Sequence, residues 1–163
     1  MEKELKKILD DNKDKRVCVC GVSCSGKTTI MKNFPNSLDL DEIAWLAVPP
    51  KIQEVLSGQK KFMTYAKMRE NGVIRDWTKE QSKIWETHAY KTANEFKIRP
   101  GQPVFSAVPL NHTDLIIYLD ISPELLYKRA MKRGRDPEKI RKAKIGLEQV
   151  IAEKGLPVIN LKF

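Results

Sequence analysis

The chain has 163 residues, a formal net charge of +9, and 41% hydrophobic and 31% charged residues, enough for one domain with its own core. This balance excludes a disordered chain, and no apolar run reaches the ~18 residues a membrane span needs. The charged stretch Met1 to Arg16 does not read as a secretory signal, and the basic surplus points to an anionic partner, nucleic acid or nucleotide phosphate.

Leu5, Ile8 and Leu9 recur at helical spacing and predict a short helix over residues 2–11, within an N-terminal segment 1–15. Arg16 to Cys20 is an apolar run ending at Gly21, which reads as a buried strand. Cys18 and Cys20 alternate there with Val17 and Val19 and are expected to behave as small buried apolar residues. With Cys24 they form no disulfide framework, which fits a reducing cytoplasm. His88 and His112 are the only histidines, too few ligands for a zinc site. A helix is expected over 27–33, stopped by Pro35 and Asn36, then a short strand over 37–40.

Between residues 42 and 75, Pro49-Pro50, Ser57-Gly58 and Asn71-Gly72 break the pattern, and no element stands out. Thr78 and Gln81 have the spacing of a capping box and open a helix to about Lys97. Ile84, Trp85, Ala89, Ala93 and Phe96 form its expected buried stripe. Two apolar strands follow, Val104 to Ala107 and Leu115 to Leu119. Ser122 then caps a helix with Pro123 at its first position, and Gly134 closes it. A charged helix over 137–153 and a strand over 157–161 end the pattern. Strands alternating with helices predict an α/β fold, a parallel sheet with helices on both faces.

Gly21-Val22-Ser23-Cys24-Ser25-Gly26-Lys27-Thr28 satisfies G-x-x-x-x-G-K-[ST] in full, between an expected strand and an expected helix. Glycines let the backbone approach phosphate oxygens, and loop amides and a helix N-terminus face the anion. The loop residues Gly21, Ser23, Cys24, Ser25 and Gly26, with Lys27, Thr28 and Thr29 opening the helix, are the candidate ATP-binding set. Lys27 places a charge on the terminal phosphates, and the Thr28 hydroxyl is suited to Mg²⁺. Nucleotide binding by such a loop does not by itself distinguish a kinase from a GTPase or motor.

Tyr118-Leu119-Asp120-Ile121-Ser122-Pro123-Glu124 to Arg129, continuing to Lys132-Arg133-Gly134-Arg135, resembles the lid region of small P-loop kinases acting on nucleosides, nucleotides and polynucleotides. With the phosphate loop and Gly155 to Asn160, the resemblance covers most of the chain. It implies a single P-loop NTPase-type domain with a helical lid, over 122–144, whose arginines close over ATP. The stretch 122–144 carries nine Lys or Arg against three Asp or Glu. Arg129 and Arg133, four apart and so on one helix face, are the candidate phosphate contacts.

Asp39 and Asp41 follow the second strand, and alternation puts both on one face if the chain stays extended. In the family, acids at this position take the acceptor proton or organise Mg²⁺, so Asp41 is the candidate base and Asp39 the candidate metal partner. Asp41 before Glu42 also suits a helix N-cap. The third strand lacks an acidic residue, leaving Ser106 as a weak or water-mediated substitute.

The resemblance implies ATP and Mg²⁺ as reactants and a hydroxyl as acceptor. The strand-to-lid stretch and the ending Gly155 to Asn160 look most like polynucleotide 5′-kinases, so the implied acceptor hydroxyl is a 5′-end or a hydroxymethyl on a modified pyrimidine within DNA, as in the similar small phage kinases that phosphorylate hydroxymethyluracil in DNA. Segment 42–100 adds lysines, arginines and the tryptophans Trp45, Trp77 and Trp85, so as a whole it reads as the acceptor-binding part, while taken singly Trp85 reads as core and most of the lysines as solvated surface. A free nucleoside or nucleotide is the alternative acceptor. No protein partner is inferable, and no membrane association is expected.

Overall fold

The computed structural model describes residues 1–163. The chain divides into two units, Met1–Leu38 with Lys97–Phe163, and Asp39–Phe96.

The first unit holds α1 (Glu2–Asp11), β1 (Val17–Cys20), α2 (Lys27–Met31), β3 (Val104–Ser106), β4 (Leu115–Asp120), α7 (Pro123–Lys132), α8 (Pro137–Lys154) and β5 (Val158–Lys162). The two-residue β2 (Leu38–Asp39) straddles the boundary and joins the sheet through the Leu38 N–H, which donates to the Pro103 carbonyl at 2.9 Å. The sheet is parallel, with strand order β2-β3-β1-β4-β5. β1 lies at its centre, with Cys18 opposite Val104 on one side and Ile116 on the other. The chain leaves β1 for β2 and β3 on one side, then crosses to β4 and β5 on the other. The loop leaving β1 therefore sits where the strand order reverses, the position where open α/β sheets bind ligands.

Alternation along β1 divides the core. Val17 and Val19 point to one face, with Phe105, Ile117, Leu119 and Leu161, and there Leu5 of α1 and Ile30 of α2 cover them. Cys18 and Cys20 point to the other and are fully buried, as their alternation with valine predicts. Tyr118, paired in register with Cys20, donates its hydroxyl hydrogen to Glu148 of α8 at 3.0 Å. Helices thus cover both faces of the sheet. Burial pushes the Tyr118 phenol up to about 12. Lys144 of α8 donates to Asp120 at 2.9 Å and to Glu148. Burial opposes its charge, but these hydrogen bonds prevail and raise its pKa.

The second unit is helical: α3 (Leu40–Ala47), α4 (Pro50–Ser57), α5 (Tyr65–Glu70) and α6 (Lys79–Glu95). The breaks at 49–50 and 57–58 prove to be a start and a stop. Pro50 opens α4, and Gly58 closes it at φ 67°. Thr64 caps α5, and Thr78 with Gln81 forms the expected capping box on α6. The unit is built around an aromatic cluster. Trp85 stacks on Tyr65 with ring centroids 4.7 Å apart and lies 6.3 Å from Trp45 and 6.0 Å from Trp77.

This cluster corrects two expectations. Trp85 is core, as its place in the expected stripe predicts, and Trp45 and Trp77 are not offered to bases. The indole N–H groups of Trp45 and Trp77 donate to the carbonyls of Met63 and Leu56, each at 2.6 Å, and all three rings pack together. Burying an indole is favourable once its N–H is satisfied, and these carbonyls satisfy it. Ile84 leaves the predicted stripe and is exposed, because Trp85 and Ala93 carry the buried face of α6. No helix is long and apolar enough to cross a membrane.

Candidate functional site

In the first unit, the loop after β1 continues the sheet for one residue, the Gly21 N–H donating to the Ser106 carbonyl at 3.2 Å. A Cβ at Gly21 would lie 2.6 Å from Ser25 Oγ and 3.2 Å from Leu119 Cβ, so glycine is required by space. The chain then turns through Val22, whose carbonyl accepts from the Ser25 N–H at 3.1 Å. Ser23 is exposed at the tip. Cys24 is buried with φ 67°, the one non-glycine residue in the left-handed region. That conformation costs about 1 kcal/mol or more in an L-residue, a strain the surrounding turn holds in place.

Ser25 is fully buried, and its hydroxyl has no hydrogen-bond partner. Gly26 at φ 97° opens α2, a short helix extended by turns through Asn33 and Phe34. Lys27 turns back over the loop, its Nζ donating to the carbonyls of Gly21 and, at 2.9 Å, Val22. Thr28 and Thr29 are exposed on the first turn of α2.

Arg129 reaches this loop from α7. Its guanidinium donates to the Ser25 carbonyl at 3.0 Å and lies 5.6 Å from the centre of the Phe163 ring. Arg133 is the C-cap of α7 rather than a helical residue, and it is exposed. Ser25, Gly26 and Thr29, with Arg129, Arg133 and Phe163, line a cavity of about 550 Å³. Phe163 is a member of this site that the sequence does not announce, because its position depends on the β4–β5 pairing.

The chain matches no protein-family model and no curated protein.

Asp39 and Asp41 belong to the second unit, and the expectation of an extended chain through them is overturned. The helix begins at Leu40, Asp39 is its N-cap, and the Asp39 carboxylate accepts from the Asp41 N–H at 3.0 Å. Asp39, and not Asp41, makes the cap, because its extended backbone brings its side chain over the first turn. Both carboxylates face Arg69 of α5, at 3.3 Å from Asp41 and 3.8 Å from Asp39. Arg69 lies 5.1 Å from the centre of the Tyr65 ring, and burial with the Asp41 charge pushes the Tyr65 phenol well up. Arg69 is a residue of this cluster that the sequence does not announce, because its helix is not legible within residues 42–75.

Ser106 is buried, and its hydroxyl accepts from the Val108 N–H at 3.1 Å, so it is engaged in the turn after β3. No group of three or more His, Cys, Asp or Glu gathers to hold a metal.

Proposed function

We propose that the protein is an ATP-dependent kinase that transfers the γ-phosphate to a hydroxyl of a nucleic-acid substrate, a hydroxymethylated pyrimidine in DNA or a 5′-hydroxyl end. The observation that carries the reading is the glycine-bounded turn between β1 and α2. It bears the full phosphate-loop sequence, sits at the reversal of strand order, and has Arg129 placed on its Ser25 carbonyl. Gly21 lets the turn close tightly on Ser25 and Leu119, and Gly26, in the left-handed region, leaves room for the Arg129 guanidinium beside the loop.

In this reading the loop, Lys27 and Thr29 hold the ATP phosphates, and the cavity beside Arg129 and Phe163 takes the nucleoside part. Lys27 exchanges its two loop carbonyls for the β- and γ-phosphates. Mg²⁺ would be held by the Thr28 hydroxyl while keeping most of its waters. Bound there, it would neutralise charge on the phosphates. Asp41 orients the acceptor hydroxyl and takes its proton. Arg129 and Arg133 stabilise charge on the transferring group. An acceptor base inside a duplex would have to be flipped out to react.

The test offers Mg²⁺ and γ-labelled ATP with three acceptors: a 5′-hydroxyl oligonucleotide, duplex DNA containing hydroxymethyluracil, and a panel of nucleosides and nucleoside monophosphates. Label on either DNA supports the proposal, and digestion to nucleosides shows whether base or end was marked. Label on the small acceptors alone makes the protein a nucleoside or nucleotide kinase. Label on none of them overturns the kinase reading.

A further inference from the structure

The positive charge is unevenly placed. The unit Asp39–Phe96 carries nine Lys or Arg against nine Asp or Glu, so the whole +9 belongs to the other unit. Within that unit, the stretch 122–144 contributes nine basic residues against three acidic ones. Some of these are committed internally. Arg129 bonds the Ser25 carbonyl, Arg141 pairs with Glu138, and Lys144 pairs with Asp120 and Glu148. Six remain, Lys128, Lys132, Arg133, Arg135, Lys139 and Lys142, all exposed and none in an ion pair.

The same helix exposes two large apolar side chains. Tyr127 is 59% exposed and Met131 56%, one turn apart on α7. Helical geometry places them about 60–140° around the axis from Leu126 and Ala130, which are buried. Lys128 flanks them, Lys132 lies towards the Arg129 side where it lines the cavity, and Glu124 is the one acid on the outward face. The outward side of α7 thus combines unpaired cations with an exposed ring, while its Arg129 side addresses the phosphate loop.

We propose that the outward face of α7, continued by the exposed cations of the first turns of α8, is a docking surface for single-stranded nucleic acid. Lys128, Lys139 and Lys142 follow the phosphates, and Tyr127 stacks on one unpaired base. Charge complementarity selects a polyanion, and the exposed ring selects a strand with unpaired bases over a duplex. This deepens the proposed function by naming where the strand is held, and it rests on that reading only in taking the strand as the acceptor.

The test is fluorescence anisotropy of the full chain, without ATP, on a labelled oligo-dT of about twelve nucleotides, within the span of a typical single-strand site. The expected affinity falls linearly with salt on logarithmic axes. Tyr127→Ala weakens binding by about 5- to 100-fold at fixed salt with the slope unchanged. The triple variant Lys128→Ala, Lys139→Ala, Lys142→Ala reduces the slope by about 2. Circular dichroism checks that both variants fold. Wild-type affinity in both folded variants overturns the proposal. So does preference for duplex over the single strand, or loss of a dimer in place of loss of DNA binding. Because no ATP is present, failure of the kinase reading leaves this result untouched. Phosphate transfer that survives without oligo-dT binding removes the surface alone.

Discussion

The Arg129 guanidinium donates to the Ser25 carbonyl at 3.0 Å, joining α7 to the loop after β1 across 104 positions of sequence. The same guanidinium lies over the Phe163 ring, 5.6 Å from its centre. A lysine cannot reproduce both contacts. Arg129→Lys is therefore expected to lower kcat/KM for ATP by about 100-fold, the scale of losing one preorganised donor. Steady-state kinetics on the acceptor labelled best would read it, and near-normal kcat/KM would remove Arg129 from the site.

Gly26 shares this contact. At φ 97°, an added Cβ would lie 3.1 Å from the nearer guanidinium nitrogen of Arg129. Gly26→Ala should cost about 1–2 kcal/mol in backbone strain and displace Arg129. ATP affinity, read by calorimetry, should fall more than tenfold while the thermal midpoint drops only slightly. Unchanged affinity would mean that the loop relaxes without involving the nucleotide.

Lys27 and Asp41 separate binding from chemistry. Lys27→Ala should abolish transfer and weaken ATP binding. Asp41→Asn should leave ATP binding intact and lower turnover by about 100- to 10,000-fold, the range for a lost general base. Circular dichroism should show both folded. Near-normal turnover in Asp41→Asn would mean that Asp41 is not the base and that its contact with Arg69 is structural.

Acid stability should report the Arg16–Asp114 pair. The Asp114 carboxylate accepts from the Arg16 side chain at 2.6 and 2.9 Å and from its backbone N–H at 2.9 Å. The Arg16 side-chain bond, then the backbone bond, hold the Asp114 pKa down at about 2. A folded pKa below the unfolded value of about 3.9 stabilises the fold above that value, and the stability is lost as pH falls towards 2. The midpoint difference between wild type and Asp114→Asn should be constant from neutral pH to about pH 5 and shrink below about 4. Thermal melts in a pH series would show it. A difference that persists at low pH would assign the effect to packing.

Trp45 is the largest fully buried side chain of the second unit. Trp45→Ala leaves a cavity and an unpartnered Met63 carbonyl, and should cost about 3–5 kcal/mol. Urea denaturation would measure it, with loss of the near-ultraviolet signal of the Tyr65–Trp85 stack. A cost under about 1 kcal/mol would mean that the cluster is loosely packed.

The sequence alone determined what depends on local periodicity and spacing. The strand before Gly21, the capping box of Thr78 and Gln81, and the Ser122 cap with Pro123 are all present. The phosphate-loop pattern was complete in eight consecutive residues, so the candidate site was half legible before any folding. The segment 42–75 stayed closed because its helices are short and gain their stability from packing around the tryptophans, an energy that no local pattern displays. Asp39 and Asp41 alternate as a strand would, yet the cap that Asp39 makes starts a helix there. Only the tertiary structure decided that Arg69 faces those carboxylates, that Phe163 backs Arg129, and that the tryptophans turn inward. Each of these is a meeting of distant segments, and its energy exists only once the chain has folded.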